Sequence, residues 1–349
     1  PYPHRPDEGF SLISELISTT PDIRIIVLSG QNGDENARHA RTLGAIDFVA
    51  KPCDPGELLH HLLRALEFDT FAPPATTSAK ASLIGKSTAI QKLRLQLQQY
   101  ADSPFPILIE GESGSGKEIV ASICLHKETH RREKPFLALN CAAISPSLVE
   151  PTLFGYAKGS FTGAVSARSG YFEDAGEGTL LLDEIGELPQ DLQAKLLRVL
   201  ENGEYQRVGE TQTRISQARV IASTNRDLRK EVRQGRFRAD LYHRLSVFSV
   251  YVPPLRDMGD DRLLLLDHFR HRFAAQTQQP AFVLSPDAKR LWLDYPFPGN
   301  VRELRNIVIR LTAKHAGTEV GPDELKCELD LQDDDLSTPA HGYVSDTGN

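Results

Sequence analysis

The sequence predicts an α/β protein with a parallel sheet, followed by a smaller all-helical part. Four short apolar runs, at 106–110, 136–140, 179–183 and 219–223, alternate with segments of helical spacing. Strands buried on both faces of a parallel sheet read as such continuous runs, and helices between them supply the crossovers. From Asp260 to about His315 the apolar spacing is helical only.

In chain order, residues 1–66 form a first unit. The run Ile23-Arg24-Ile25-Ile26-Val27-Leu28 closes at Ser29-Gly30, and Ile46-Asp47-Phe48-Val49-Ala50 closes at Lys51-Pro52. A polar segment of helical length separates them, which predicts two strands of a βαβ unit. Residues 67–82 include Phe71-Ala72-Pro73-Pro74-Ala75-Thr76-Thr77-Ser78-Ala79, poor in core-forming side chains, and read as a linker. The α/β domain is expected over 83–255 and the helical part over 256–325. The tail, 326–349, is acidic and then small and polar, which predicts disorder.

Composition narrows the functional classes. Of 349 residues, 40 are Lys or Arg and 47 are Asp or Glu, a net charge of −7, so no whole-chain attraction draws the protein to nucleic acid. Cys53, Cys124, Cys141 and Cys327 stand far apart, without zinc-ligand spacing or a disulfide pattern. The first residues lack the apolar core of a signal peptide, and no stretch approaches the ~18 apolar residues of a membrane span. The chain reads as cytoplasmic, with no membrane partner.

Two motifs carry chemistry. Gly111-Glu112-Ser113-Gly114-Ser115-Gly116-Lys117 follows the 106–110 run and opens a helical pattern. Glycines in that place let backbone N–H groups turn inward around phosphates, the helix N-terminus adds partial positive charge, and Lys117 reaches the β- and γ-phosphates. Where Ser or Thr ordinarily serves magnesium, this chain has Glu118, so the metal must lean on other ligands. The second motif, Leu180-Leu181-Leu182-Asp183-Glu184, puts two carboxylates at the carboxyl end of a strand, where open α/β sheets bind ligands. Asp183 suits Mg2+, and Glu184 suits polarising the water that attacks a γ-phosphate. An acidic pair can also merely cap the next helix. Its partnership with a phosphate loop favours ATP chemistry.

These residues, with Leu153-Phe154-Gly155-Tyr156-Ala157-Lys158-Gly159-Ser160-Phe161-Thr162-Gly163-Ala164, resemble the AAA+ domain of bacterial enhancer-binding proteins, the nitrogen regulatory protein C class of sigma-54 activators. The resemblance spans about 83–325. It implies a three-layer AAA+ P-loop domain (83–255) with a helical lid (256–325), ATP and Mg2+ as ligands, and assembly into a hexameric or heptameric ring. It also implies contact with sigma-54 RNA polymerase through Gly159, Ser160, Phe161, Thr162, Gly163 and Ala164, with Ser160 in place of the usual Ala. Arg238 and Arg244, in Phe237-Arg238-Ala239-Asp240-Leu241-Tyr242-His243-Arg244-Leu245, resemble arginine fingers that enter a neighbour's site. Six residues along one helix point about 120° apart, so both could face one phosphate only if the helix breaks between them.

Further roles follow from the same resemblance. Arg302, in Pro298-Gly299-Asn300-Val301-Arg302-Glu303-Leu304, resembles the lid arginine that reaches the nucleotide, and Phe297 stands where the family usually has Trp. Thr224 and Asn225 resemble the sensor that ends a strand, and Ile84 the adenine-side entry, although plain core packing serves Ile84 as well. Asn140 resembles a switch asparagine holding Glu184, while an Asn closing a strand is also an ordinary turn former.

Residues 1–66 resemble the second half of a flavodoxin-like response-regulator receiver. Ser29, Phe48 and Lys51-Pro52 match its switch hydroxyl, switch aromatic and phosphate-binding lysine. The phosphoacceptor aspartate is expected upstream of Pro1, because no strand precedes Asp7. After Leu325 no helix-turn-helix or basic cluster is legible, so promoter DNA is expected to be reached only through a C-terminal module that this chain lacks. The expected signal source is a sensor histidine kinase. The resemblance thus implies an ATP-hydrolysing activator that remodels sigma-54 polymerase. The rival readings are another AAA+ remodeller, a nucleotide-dependent binding module without hydrolysis, and a metabolic kinase.

Overall fold

The structure is a computed structural model that describes residues 25–29, 47–51, 83–161, 164 and 166–330. The 67–82 linker, Pro52, Thr162, Gly163 and the 331–349 tail lie outside the described residues. The chain divides into two units, Pro1–Ala81 and Ser82–Asn349.

In the first unit, strands β1 (Ile26–Ser29) and β2 (Asp47–Ala50) pair in parallel, Ile26 against Asp47 and Ser29 against Ala50. Both predicted apolar runs are therefore strands. Parallel neighbours need a crossover between them, as the intervening polar segment required. Lys51 follows β2 as an exposed bend.

The second unit is built on a five-stranded parallel sheet. Its strands are β3 (Ile107–Glu110), β4 (Phe136–Asn140), β5 (Thr179–Asp183), β6 (Arg219–Thr224) and β7 (Phe248–Tyr251). Their spatial order is β7-β3-β6-β5-β4. The central strands are buried on both faces, and successive side chains alternate between two cores. Ile107, Ile109, Leu181, Ile221 and Val250 pack with Ile90, Leu93 and Leu97 of helix α1 (Thr88–Tyr100) and with helix α2, which starts as Lys117–Ile119 and continues as a π-helix over Val120–Lys127. Leu108, Leu139, Leu180, Leu182, Val220 and Ala222 face the other way, onto helices α3 (Pro146–Phe154), α4 (Gln190–Asn202) and α6 (Ala239–Leu245), with α5 (Leu228–Arg233) between the last two in sequence. Helices on both faces of one parallel sheet are the three layers expected.

Strand β7 escaped the sequence reading. It lies at the sheet edge, where Ser249 and Tyr251 are exposed, so it lacks the unbroken apolar run of a central strand.

The helical part holds α7 (Asp261–Thr277), α8 (Pro286–Asp294), α9 (Asn300–Lys314) and α10 (Pro322–Asp330). Trp292, Phe297, Leu304, Ile307, Val308 and Leu311 form its core, continuous with the α1–α2 side of the sheet. Two expectations are corrected here. A two-residue parallel pair, Val283–Leu284 with Glu319–Val320, joins its helices, so the region is not purely helical. The tail does not begin at Lys326 either, because α10 runs to Asp330. Leu325 and Leu329, one turn apart, are buried, and buried Glu328 pairs with Arg310 (2.6 Å) and Lys314 (2.5 Å). An acidic segment that looked unable to fold is held by the basic face of α9.

Candidate functional site

The site assembles at the carboxyl ends of β3, β5 and β6, where parallel strands deliver ligands. The registers place Thr224 beside Glu110 and Asn140 beside Asp183. The turn 111–117 therefore starts next to the end of β6, and Gly111 N donates to Thr224 O (3.3 Å).

The phosphate loop has the backbone its glycines predict. Gly114 (φ +74°) and Gly116 (φ +100°) adopt left-handed conformations that L side chains resist, and α2 opens at Lys117 directly after. A Cβ on Gly114 would stand 2.4 Å from Gly299 O, so the lid backbone lies against the loop at that point. Lys117 is buried, and its Nζ donates to Gly111 O (3.0 Å) and Glu112 O (3.1 Å). Burial pushes its pKa down, while the charges of Glu184 and Asp183 oppose that shift and Arg302 adds to it. One ammonium thus feels both acids and the lid arginine. Ser115 Oγ is buried and has no protein hydrogen-bond partner, a donor facing into the loop. Glu118 is exposed in the first turn of α2.

Asp183 and Glu184 end β5 differently. Asp183 stays in the strand, accepting from Ser223 Oγ at Oδ1 (2.6 Å) and from Asn140 Nδ2 at Oδ2 (3.3 Å). Glu184 turns into the left-handed region, φ 51° and ψ 48°. Such a conformation in a residue with a side chain costs on the order of 1–3 kcal/mol and recurs at functional sites. It turns the second carboxylate off the strand, where Asn225 N donates to Oε2 (3.2 Å). Cys141, the next residue after Asn140, is no nucleophile: burial, then the Asp183 and Glu184 charges, push its thiol up to about 12.

Three sequence expectations are refined. Asn140 does not hold Glu184; it bridges to Asp183, and its Oδ1 accepts from Ala142 N (2.9 Å) and Ala143 N (3.2 Å), the turn-forming use of an Asn at a strand end. Thr224 is buried with its hydroxyl accepting from Arg226 N (3.1 Å), and it is Asn225, through its backbone N–H, that meets Glu184. Glu112 is consumed by protein partners, a bidentate pair with Arg256 (2.6 and 2.9 Å) and a bond from Asn300 Nδ2 (3.1 Å). The Arg256 bonds first, and the Asn300 bond after them, hold its carboxyl below the usual range. Arg256 and Asn300 went unassigned in the sequence because they lie 144 and 188 positions from Glu112.

Arg302 reaches the loop from the lid, its Nη1 donating to Ser113 Oγ (3.0 Å). Beside it opens a cleft of about 440 Å³ lined by Glu112, Ser113, Asn225, Gly299, Arg302 and Asn306, among others. Ile84 and Leu83 are half-buried against the apolar core. Their segment is fixed by Arg94 Nη2, which donates to Leu83 O (2.6 Å) and Gly85 O (2.7 Å), and by the Asp261 carboxylate, which accepts from Lys86 N (2.6 Å) and Ser87 N (2.9 Å).

Arg238 and Arg244 stand apart from this cluster. They do not share one helix: Arg238 is extended and precedes α6, which begins at Ala239 and carries Arg244. Arg238 is exposed and pairs with Asp240 (2.7 Å), and Arg244 Nε donates to Leu200 O (3.0 Å).

The base of the 159–164 loop is stitched by Gly159 N to Ala164 O (2.8 Å) and Ala164 N to Phe161 O (3.0 Å). Ala157 N donates to Val208 O (2.9 Å) beneath it. Phe161 is exposed and meets Tyr156 edge to face at 5.0 Å, while Ala164 is buried. Ser160 sits against Gly209, where an added Cβ would come 2.6 Å from the Ser160 Cβ, so position 209 accepts only glycine beside it.

Comparison with known proteins agrees with this geometry. Residues 83–251 match the sigma-54 interaction domain, 256–341 the AAA+ ATPase lid domain and 4–63 the response regulator receiver domain. The chain is 43% identical over 332 residues to the DNA-binding transcriptional regulator NtrC of Azospirillum brasilense, covering 93% of this chain and 68% of that protein. It is 40% identical over 321 residues to the transcriptional regulatory protein ZraR of Escherichia coli strain K12, covering 91% and 73%. A crystal structure of NtrX from Brucella abortus in complex with ATP superposes with a TM-score of 0.67 at 33% identity, over 96% of this chain and 73% of that one. Phosphate loop, acidic pair and lid arginine meeting at the carboxyl end of one sheet, together with these likenesses, show that the chain belongs to the sigma-54-dependent response regulators, two-component transcriptional activators with an ATP-hydrolysing AAA+ domain.

Proposed function

We propose that this ATPase works between copies of the chain in a hexameric or heptameric ring, each copy lending Arg238 and Arg244 to its neighbour's nucleotide. Turnover then moves the 159–164 loop against sigma-54 and remodels RNA polymerase at promoters. The observation that carries this reading is a division of labour. Lys117, Asp183, Glu184 and Arg302 converge at the carboxyl end of the sheet, whereas the candidate fingers are bonded elsewhere in their own subunit, Arg238 to nearby Asp240 and Arg244 to Leu200 O. A site with a base and phosphate ligands but no finger is completed by a second copy.

Within the site, Lys117 and the inward N–H groups of 111–117 bind and orient the β- and γ-phosphates. Arg302 closes over them from the lid. Glu184 accepts a proton from the attacking water, its carboxylate held by Asn225 N. Asp183 fits a magnesium ion, because its carboxylate is half-buried, is held in place by a hydroxyl and an amide donor, and lies within electrostatic reach of Lys117 in the loop that carries the unpartnered Ser115 hydroxyl. Among the described residues no group of three His, Cys, Asp or Glu side chains forms a metal cage, which suits an ion that keeps waters and substrate phosphates as ligands. When bound, it would neutralise charge developing on the phosphates. The receiver part takes its signal from a sensor histidine kinase in the cytoplasm.

The ring reading is tested by mixing inactive variants. Arg238→Ala and Lys117→Ala are each expected to lose hydrolysis, a finger alone being worth about 10³–10⁵ in rate. Mixed, they regain activity, since a Lys117→Ala copy still offers its fingers to an intact loop. A mixture no more active than its parts rejects assembly in trans. For the loop, Thr162→Ala is expected to keep ATPase activity and to lose co-precipitation with sigma-54. Retained sigma-54 capture would remove the loop from the interface.

A further inference from the structure

We propose that Asn300 is a positioning residue that ties the lid to the phosphate loop and thereby sets Arg302 over the nucleotide. Its carboxamide is fully used and fully buried. Oδ1 accepts from Leu255 N (2.8 Å), and Nδ2 donates to Glu112 Oε2 (3.1 Å) and Ser113 O (3.1 Å). Three separate pieces of chain therefore meet at one side chain: the phosphate loop, the connector after β7, and the first turn of lid helix α9.

The geometry selects for Asn. Position 300 has φ +55°, a left-handed conformation that Asn tolerates better than other residues bearing a side chain. Asp would keep that backbone but set a second carboxylate against Glu112 and the Ser113 carbonyl. Glycine would keep the backbone more easily and remove every bond. Glu112 is the anchor on the loop side. Arg256, from the connector, holds its carboxylate in a bidentate pair, so Asn300 pulls against a fixed oxygen.

Two residues further along α9, the effect of this bracket is visible. Arg302 N donates to Gly114 O (3.3 Å), and Arg302 Nη1 to Ser113 Oγ (3.0 Å). The arginine is long and exposed; its backbone N rests on Gly114 O and its guanidinium on Ser113 Oγ, while Asn300, two residues earlier, is the buried side chain that joins this turn of α9 to the loop and the connector.

This inference rests on the reading of 111–117 as the nucleotide's phosphate loop. The test uses the full chain and steady-state ATP hydrolysis, with thermal melts as a check on folding. Asn300→Gly is expected to raise KM for ATP about tenfold, close to one hydrogen bond to a charged group. Its kcat should stay within about twofold of the parent, since the water-activating acid is untouched. In an Arg302→Ala background the same change is expected to alter KM by less than about twofold, because the two residues act in series.

An unchanged KM for Asn300→Gly, or effects that multiply fully with Arg302→Ala, would overturn the proposal. A purely structural role for Asn300 predicts a lower melting temperature with such multiplying effects. Should Asn300→Gly fail to fold, Arg256→Gln on the protein's surface takes its place, with the same rise in KM and the same lack of additivity expected. An unchanged KM there overturns the proposal equally. A chain whose hydrolysis survives Lys117→Ala would instead remove the phosphate-loop reading beneath it.

Discussion

Replacing Glu184 with Ala should leave ATP bound and its hydrolysis nearly abolished. Glu184 is the second of two acids at the end of β5, and its left-handed backbone separates it from the strand that Asp183 still follows. Asp183 is bonded to Ser223 and Asn140 and keeps its place when Glu184 is shortened. The hydrogen bonds that hold the loop, Lys117 and Arg302 do not involve the Glu184 side chain. What disappears is the acceptor for the water's proton, and a positioned general base contributes about 10²–10⁴ in rate. Phosphate release checks the loss, and fluorescent-nucleotide binding checks the retention. Lys117→Ala is expected to fail in both assays, since its ammonium neutralises phosphate charge before and during the reaction. Turnover unchanged by Glu184→Ala would put the base elsewhere.

The second large effect lies in the lid. Trp292, the only tryptophan of the chain, is fully buried. Its ring meets Phe297 edge to face at 4.9 Å, and its Nε1 donates to Arg262 O (3.2 Å). Trp292→Ala removes the largest side chain of this core, which should cost about 3–5 kcal/mol. Urea unfolding followed by circular dichroism measures this, since the fluorescence reporter goes with the mutation. Because α9 carries Asn300 and Arg302 on the same core, ATP affinity should fall as well. A loss below about 1 kcal/mol would mean that the lid core is packed more loosely than its burial indicates.

The legible parts of the molecule share a physical property: their requirements are local in sequence. A turn that must take left-handed backbone asks for glycine at Gly114 and Gly116, and a strand buried on both faces asks for an unbroken apolar run such as Leu180-Leu181-Leu182. An edge strand asks for less, and Phe248–Tyr251 passed unnoticed for that reason. Helix α10 was hidden because its charges are those of a disordered tail until Glu328 meets Arg310 and Lys314.

From residue order alone come the parallel sheet, the phosphate loop at 111–117 and the acids at 183 and 184, since each is written in neighbouring residues. Which donors those acids receive was decided only in three dimensions. Asn140 went to Asp183 because register set it there, and Glu184 took its bond from Asn225 across two strands. The union of Glu112, Arg256 and Asn300 is likewise tertiary: a hydrogen bond needs its atoms within about 3 Å, and only folding brings positions so distant in sequence to that range.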